Sequence, residues 1–115
     1  QRLPRQIGEK RAMGMLLTGR RVSAQEGLEL GFVNEVVAKG EALTGARRWA
    51  EQILECAPLS VRVSKQVATQ GMNYPSLKES MAAKYDQVSV MRASADYIEG
   101  PLAFAEKRPP NWKGE

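Results

Sequence analysis

A single segment of this 115-residue sequence has the alternation typical of a β-strand, and this feature limits the fold most. The segment "FVNEVV", residues 32–37, alternates apolar with polar residues and is rich in β-branched side chains. One strand has no partner in the chain for its backbone N–H and C=O groups. It must therefore pair with polypeptide outside this chain or lie as an extended linker, and the remaining sequence is expected to be almost entirely helical.

Helical periodicity, with recognisable start and stop residues, covers most of the remaining sequence. Ser23, followed three residues later by Glu26, predicts a capping box at the start of a short helix. Pro58 suits the first turn of another helix, where its missing N–H costs nothing. Gly100 and Pro101 are expected to separate the last two helices. The predicted helical segments are 7–19, 22–32, 41–57, 58–72, 75–91, 94–100 and 101–108.

Positive charge is concentrated at the beginning of the chain, whose formal net charge is +4. This basic segment indicates either a face for a phosphate-bearing ligand or nucleic acid, or a solvated surface whose acidic complement lies elsewhere. The charge alone favours the solvated surface. Within residues 1–21 a single acid, Glu9, stands against Arg2, Arg5, Lys10, Arg11, Arg20 and Arg21.

The sequence contains no histidine and one cysteine, which limits the chemistry available to it. A histidine-based catalytic triad is excluded, and no metal site is expected. Cys56 follows an apolar helical stripe and is predicted to be a small buried or half-buried side chain. Glu51 and Glu55 are spaced for paired acid–base work, but they are predicted to lie on the solvated face of their helix. No catalytic residue is therefore expected in this chain.

Four segments, taken together, resemble the enoyl-CoA hydratase/isomerase (crotonase) superfamily. They are "QRLPRQIG", "LLTGRRVSAQEGLELGFVNEVV", "APLSVRVSKQV" and "EGPLAFAEKRPPNW", in the order and spacing of the family over essentially the whole chain. The sharpest elements are Thr-Gly-Arg-Arg before Ser-Ala-x-Glu, and Phe-x-Glu-Lys-Arg near the end. Within the superfamily, "IEGPLAFAEKRPPNWKG" is most similar to the carnitinyl-CoA dehydratase group, also called crotonobetainyl-CoA hydratase or carnitine racemase.

The resemblance implies a mainly α fold. The chain would be the C-terminal helical trimerisation region of the crotonase (ClpP/crotonase-like) fold with one short strand, without the half built from a spiral of ββα units. Residues 1–38 would be the end of the spiral core, with two helices and the strand, and residues 39–115 the helical trimerisation domain. The expected partners are the N-terminal half of the same protein and further copies of it, as a homotrimer or a dimer of trimers.

The resemblance also implies an activity for the whole protein. Members of the hydratase type add or remove water across the 2,3 double bond of an enoyl-CoA thioester. Two backbone N–H groups stabilise the oxyanion and two glutamates move the protons. All of these groups would lie upstream of Gln1. No cofactor is expected other than coenzyme A as the substrate carrier, and no nucleic acid or membrane partner. Two alternatives remain: an isomerase, decarboxylase or hydrolase of the superfamily, and a non-enzymatic basic helical binding module.

Phe104 and Lys107 match the Phe-x-x-Lys spacing of the family. The resemblance implies that they bind the adenine and phosphate end of coenzyme A held by a neighbouring subunit. Residues three apart share a helix face, so the ring and the ammonium would approach together. Arg108, on the adjacent face, is a second candidate for the phosphate contact. The alternative is that Phe104 packs its own helix and Lys107 is merely solvated.

The two ends of the chain complete these expectations. Gly100 and Pro101 are expected to redirect the chain so that residues 102–105 dock on a neighbour, with Trp112 packed against the same surface. The two prolines at 109–110 stop the helix.

No apolar run approaches the ~20 residues of a membrane span. The start of the chain has no signal-type apolar segment, so a cytoplasmic location is expected.

Overall fold

The structure is a computed structural model that describes all 115 residues, in eight α-helices and no β-strand. The chain divides into two compact units, residues 1–47 and 48–115, with the division inside the fourth helix. The predicted mainly α fold is confirmed, and the predicted roles of residues 1–38 and 39–115 stay predictions. The helices are α1 Arg2–Ile7, α2 Glu9–Thr18, α3 Ala24–Leu30, α4 Ala42–Leu54, α5 Pro58–Gly71, α6 Leu77–Ala82, α7 Asp86–Arg92 and α8 Ala95–Glu106.

The strand prediction is wrong, because the first part of that segment closes helix α3 instead. The backbone N–H groups of Gly31, Phe32 and Val33 all donate to the carbonyl of Gly27, at 3.1 to 3.2 Å. The two apolar side chains then lie so close to Gly27 that a Cβ there would be 2.8 Å from Val33 Cγ2. Residues 35–38 form neither helix nor strand, and the chain contains no other strand with which they could pair.

In the first unit, the predicted helix starts and stops are largely confirmed. Helix α2 ends at Gly19, which has the left-handed φ of 61°. Ser23 caps α3, since its hydroxyl accepts a hydrogen bond from the Glu26 N–H at 3.1 Å. The reciprocal half of the capping box is missing, because the Glu26 carboxylate bonds the Arg20 guanidinium instead. Helix α1 lies in a segment for which no helix was predicted.

The second unit is organised around α5, which begins at Pro58 as predicted and contacts both α6 and α7. The side chain of Gln66, on α5, accepts a hydrogen bond from the Gln87 N–H at 3.1 Å. It therefore caps the start of α7, where the side chain of the preceding residue, Tyr85, makes no capping bond. The Gln87 N–H, which lacks a partner within its own helix, thus forms its hydrogen bond with a side chain of a neighbouring helix.

The single helix predicted for residues 75–91 is wrong, because the chain forms α6 and α7 with a break between them. Ser76 and Glu79 form a complete capping box at the start of α6, with both bonds at 3.2 Å. After α6 the chain leaves the helix so that the Tyr85 side chain becomes buried. Its hydroxyl donates to the Ser80 carbonyl at 2.9 Å. A tertiary contact therefore overrides the helical periodicity of this segment.

The predicted separation at Gly100 and Pro101 is also wrong, because α8 runs through both residues. The predicted cap is confirmed, since the Ser94 hydroxyl accepts from the Tyr97 N–H at 3.2 Å. Pro101 removes one helical N–H without ending the helix. Gly100 is where the chain end lies against the helix, since a Cβ there would be 3.3 Å from the Trp112 ring.

Candidate functional site at the end of helix α8

Phe104 lies in the last turn of α8 with its ring directed outward. The residue is 87% exposed, more than any other large apolar residue in the chain. The neighbouring Ala103 is only 2% exposed, so the helix is anchored by the face that carries Ala103. The alternative that Phe104 packs its own helix is wrong within this chain. The Phe104 ring is therefore an exposed aromatic surface in the last turn of α8.

Lys107 ends α8 in the left-handed conformation, with φ 55° and ψ 38°, and is the single non-glycine residue with positive φ. Its N–H donates to the Phe104 carbonyl at 3.2 Å, and the N–H of Arg108 donates to the Ala103 carbonyl at 3.1 Å. This pair of bonds is a Schellman motif, in which glycine is the usual left-handed residue. Phe104 and Lys107 are therefore neighbours at one helix end, but they do not share a helical face as the spacing predicted.

Arg108 makes three charge-assisted hydrogen bonds to carboxylates of the same chain, and its suggested contact with a phosphate stays a prediction. Its Nη1 and Nη2 donate to the two carboxylate oxygens of Glu99 at 2.6 and 2.9 Å, and its Nε donates to Glu106 at 2.6 Å. Glu99 also accepts from the Asn111 N–H at 2.7 Å. We call the set of Glu99, Glu106 and Arg108 the arginine clasp.

The contacts of the arginine clasp shift the pKa values of Glu99 and Arg108. The guanidinium of Arg108, followed by the N–H of Asn111, lowers the pKa of Glu99 from 4.5 to about 2. In turn the two carboxylates raise the pKa of Arg108, with Glu99 the larger cause and Glu106 the smaller. Both pKa shifts favour the charged forms, so Glu99 and Arg108 are both ionised near neutral pH.

The last residues, 108–115, form a tail that is fixed along α8. Asp96 is buried, and its two carboxylate oxygens accept from the N–H groups of Lys113 and Gly114 at 2.7 and 2.9 Å. The indole N–H of Trp112 donates to the Glu55 carbonyl at 2.9 Å. Trp112 therefore packs within its own chain, and the expectation that it shares a docking surface with residues 102–105 is wrong. The tail holds the end of α8 in place.

The remaining candidates from the sequence are Cys56 and the two glutamates at 51 and 55. Cys56 is exposed, so the prediction of a buried or half-buried side chain is wrong. Glu51 and Glu55 are exposed, as predicted. The chain holds no group of three or more metal-ligating side chains, and none of its helices has the length and apolar character needed to cross a bilayer.

The comparison with known protein families agrees with the motifs. Residues 1–115 match the family model described as enoyl-CoA hydratase/isomerase. The chain belongs to the enoyl-CoA hydratase/isomerase family. The predicted resemblance to this family and to its carnitinyl-CoA dehydratase group is therefore confirmed, the latter by the curated relatives described next.

The relatives of this family member are similar in sequence and in structure. Carnitinyl-CoA dehydratase of Proteus mirabilis is 41% identical over 119 residues, which cover 98% of this chain and 44% of that protein. The crystal structure of an enoyl-CoA hydratase from Bacillus anthracis is 38% identical, with a TM-score of 0.90 over 100% of this chain and 44% of that one. An enoyl-CoA hydratase/isomerase from Mycobacterium paratuberculosis is 34% identical, with a TM-score of 0.90 over 99% and 46%. The chain thus spans less than half the length of these relatives.

Sequence reasoning missed the role of Glu99 in this family member. Glu99 and Arg108 both stand in the motifs that carry the resemblance, yet they are nine residues apart, which is not a spacing that brings two residues to one helix face. They meet because the left-handed Lys107 reverses the chain at the end of α8. A lysine followed by arginine and two prolines was the available signal, since it marks a helix end close to Arg108.

Proposed function

We propose that the natural protein containing this chain adds or removes water across the 2,3 double bond of an enoyl-CoA thioester, and that this chain binds coenzyme A. The observation that carries the proposal is the exposed Phe104 ring beside the left-handed Lys107. An aromatic face is a stacking surface for a purine. A lysine ammonium is a compact charge for a phosphate group. The two side chains thus fit the two chemical parts of a nucleotide.

The acyl group belongs to the same proposal. Carnitinyl-CoA dehydratase is the name of the 41% identical relative from Proteus mirabilis. We therefore propose crotonobetainyl-CoA and carnitinyl-CoA as the first substrate pair to test, with crotonyl-CoA as the generic competitor. An isomerase, decarboxylase or hydrolase with the same coenzyme A contacts is the alternative, because residues outside this chain select the reaction.

The exposed apolar surface supports an assembly role. Large apolar residues that would normally be covered are open in this chain, since Leu54 is 79%, Leu77 75%, Met81 78% and Met72 72% exposed. Exposed large apolar side chains in this number are typical of surfaces that other polypeptide covers. We propose that further copies of the chain, as a homotrimer or dimer of trimers, and the rest of the natural protein cover these residues.

The reaction is tested on the full natural protein with crotonobetainyl-CoA and crotonyl-CoA as separate substrates. The expected result is loss of the conjugated double-bond absorbance and a product heavier by one water, with the higher kcat/KM for crotonobetainyl-CoA. Absence of hydrated product from both thioesters contradicts the proposed reaction. A higher kcat/KM for crotonyl-CoA contradicts the substrate assignment alone.

The coenzyme A contact is tested separately by Lys107→Ala. We expect KM for acyl-CoA to rise about fivefold at low salt, as for an exposed charge-assisted contact of about 1 kcal/mol. Lys78→Ala is the matched control, because it also removes one exposed lysine from the second unit. Acyl-pantetheine, which has no nucleotide, should show the same KM in both variants. An unchanged KM for acyl-CoA in Lys107→Ala contradicts the contact.

A further inference from the structure

We propose that Glu99 and Arg108 are positioning residues that fix Lys107 for its ligand, and that neither of them binds the ligand. Their ion pair would hold the left-handed end of α8, so that the Lys107 ammonium points at the phosphate-bearing part of a nucleotide. The inference rests on the proposed coenzyme A contact. It assigns Arg108 a role different from the phosphate contact that its place in the motif indicates.

The hydrogen bonds of Arg108 within the chain engage four of its five N–H donors and leave one N–H, on Nη2, without a partner. Its Nε donates to Glu106, its Nη2 donates to Glu99, and its Nη1 donates both to Glu99 and, at 3.2 Å, to the Pro109 carbonyl. Every nitrogen of the guanidinium is therefore engaged within the chain. A phosphate could make a bidentate contact with Arg108 only by displacing the Glu99 carboxylate, which is held in the arrangement that an arginine binds most strongly.

The clasp joins the residues on both sides of Lys107. Glu106 is the residue before it and Arg108 is the residue after it, and the side chains of these two neighbours are bonded to each other at 2.6 Å. Glu99 lies two turns earlier on α8 and ties Arg108 back to the helix. The Glu99 side chain is only 18% exposed, so water screens this ion pair less than an ordinary surface pair.

A lysine needs such support to stay in the left-handed region. For an L-residue with a long side chain this conformation is unfavourable, and a helix end often frays in solution. Lys107 itself gains nothing in return, because its ammonium makes no ion pair within the chain. The surrounding bonds therefore fix a residue whose side chain is left for a partner outside the chain, as is common for strained residues at ligand sites.

Glu99→Gln in the full natural protein separates positioning from simple electrostatics, because the two predict opposite signs. Removing a negative charge near a phosphate site would by itself tighten binding of coenzyme A. If Glu99 positions Lys107, KM for acyl-CoA instead rises about threefold or more, with kcat and the KM for acyl-pantetheine unchanged. Glu51→Gln is the control, since Glu51 is exposed and its loss changes the charge equally.

A double-mutant cycle tests whether Glu99 acts through Lys107. In a Lys107→Ala background we expect Glu99→Gln to have no further effect on KM, because the group that it positions is gone. Arg108→Lys is the second variant, which keeps the charge and loses the bidentate fork, and it should raise KM to the same extent. This variant decides the question where Glu99→Gln fails to fold.

The outcomes distinguish this inference from the proposed function. A KM that falls or stays unchanged in both Glu99→Gln and Arg108→Lys, while Lys107→Ala raises it, overturns the positioning role and leaves the coenzyme A contact standing. Equal effects of Glu99→Gln with and without Lys107 also overturn it. If Lys107→Ala itself leaves KM unchanged, the contact fails, and the positioning inference fails with it.

Discussion

Replacing Lys107 by glycine should stabilise the end of α8 while it weakens ligand binding. Lys107 has φ 55° and ψ 38°, close to the centre of the left-handed region. An L-residue there costs about 1–2 kcal/mol, whereas glycine pays no such cost but loses about 0.5–1 kcal/mol more conformational entropy on folding. The net gain for Lys107→Gly is therefore about 1 kcal/mol, which corresponds to an about fivefold change in the opening equilibrium of the helix end.

Hydrogen exchange of the full natural protein measures this gain locally. If α8 and the tail open together, the amide hydrogens of residues 103–115 in Lys107→Gly should exchange about fivefold more slowly than in the unchanged protein. Lys107→Ala is the matched control, because it removes the same ammonium but keeps a Cβ in the left-handed region. It should therefore gain no protection, although both variants lose the same charge and should raise KM for acyl-CoA alike.

Two results would refute this reasoning. Equal exchange in Lys107→Gly and Lys107→Ala would mean that the left-handed conformation stores no strain at this residue. Slower exchange in Lys107→Gly together with an unchanged KM would mean that the strain exists but serves no ligand contact. The combination of a more stable helix end with weaker binding is specific to a residue kept in place for its side chain.

The remaining predictions concern stability. Glu99→Gln should lower the midpoint of thermal unfolding near neutral pH, and the loss should shrink as the pH falls from about 5 towards about 2. The reason is that folding lowers the pKa of Glu99 from 4.5 to about 2. The ionised carboxylate therefore stabilises the folded state fully above pH 4.5, and this stabilisation is lost as the pH falls towards 2. A difference in midpoint between the two proteins that grows in acid would contradict this. Ser76→Ala should cost about 1 kcal/mol of local stability by removing the capping box of α6, measured by exchange of residues 77–82. Ser89→Ala is its control, because Ser89 is an exposed serine of α7, and equal losses in the two variants would contradict the capping role.

The sequence predicted the helix ends that depend on local chemistry. Ser23 and Ser94 cap helices because their hydroxyls accept from N–H groups three residues ahead, and Gly19 ends a helix because it adopts positive φ easily. The information for each of these ends lies within four residues. The same Ser-x-x-Glu signal starts α6 at Ser76, although the apolar periodicity of residues 75–91 predicts one continuous helix there.

The sequence failed where contacts distant along the chain decide the conformation. Helix α7 begins where it does because Tyr85 is buried and Gln66, from α5, caps the next turn. Neither contact produces a periodic pattern in the sequence that could predict it. Gly100 and Pro101 looked like a break on local propensity alone, yet the tail lies along α8 and Trp112 packs on Gly100. Tertiary packing overrode local propensity in both places.

At the candidate site too, the sequence predicted the roles of some residues and not of others. The motif resemblance indicated Phe104 and Lys107, and the structure leaves both side chains without an internal role: the ring is exposed and the ammonium is unpaired. Arg108 stands beside them in the same motif, but its side chain is hydrogen-bonded to carboxylates of the same chain. Adjacent residues of one motif thus differ in their contacts, which the structure shows and the motif alone does not. A helix end that holds its arginine in ion pairs and keeps its lysine in a strained conformation supports the proposed ligand contact at Lys107.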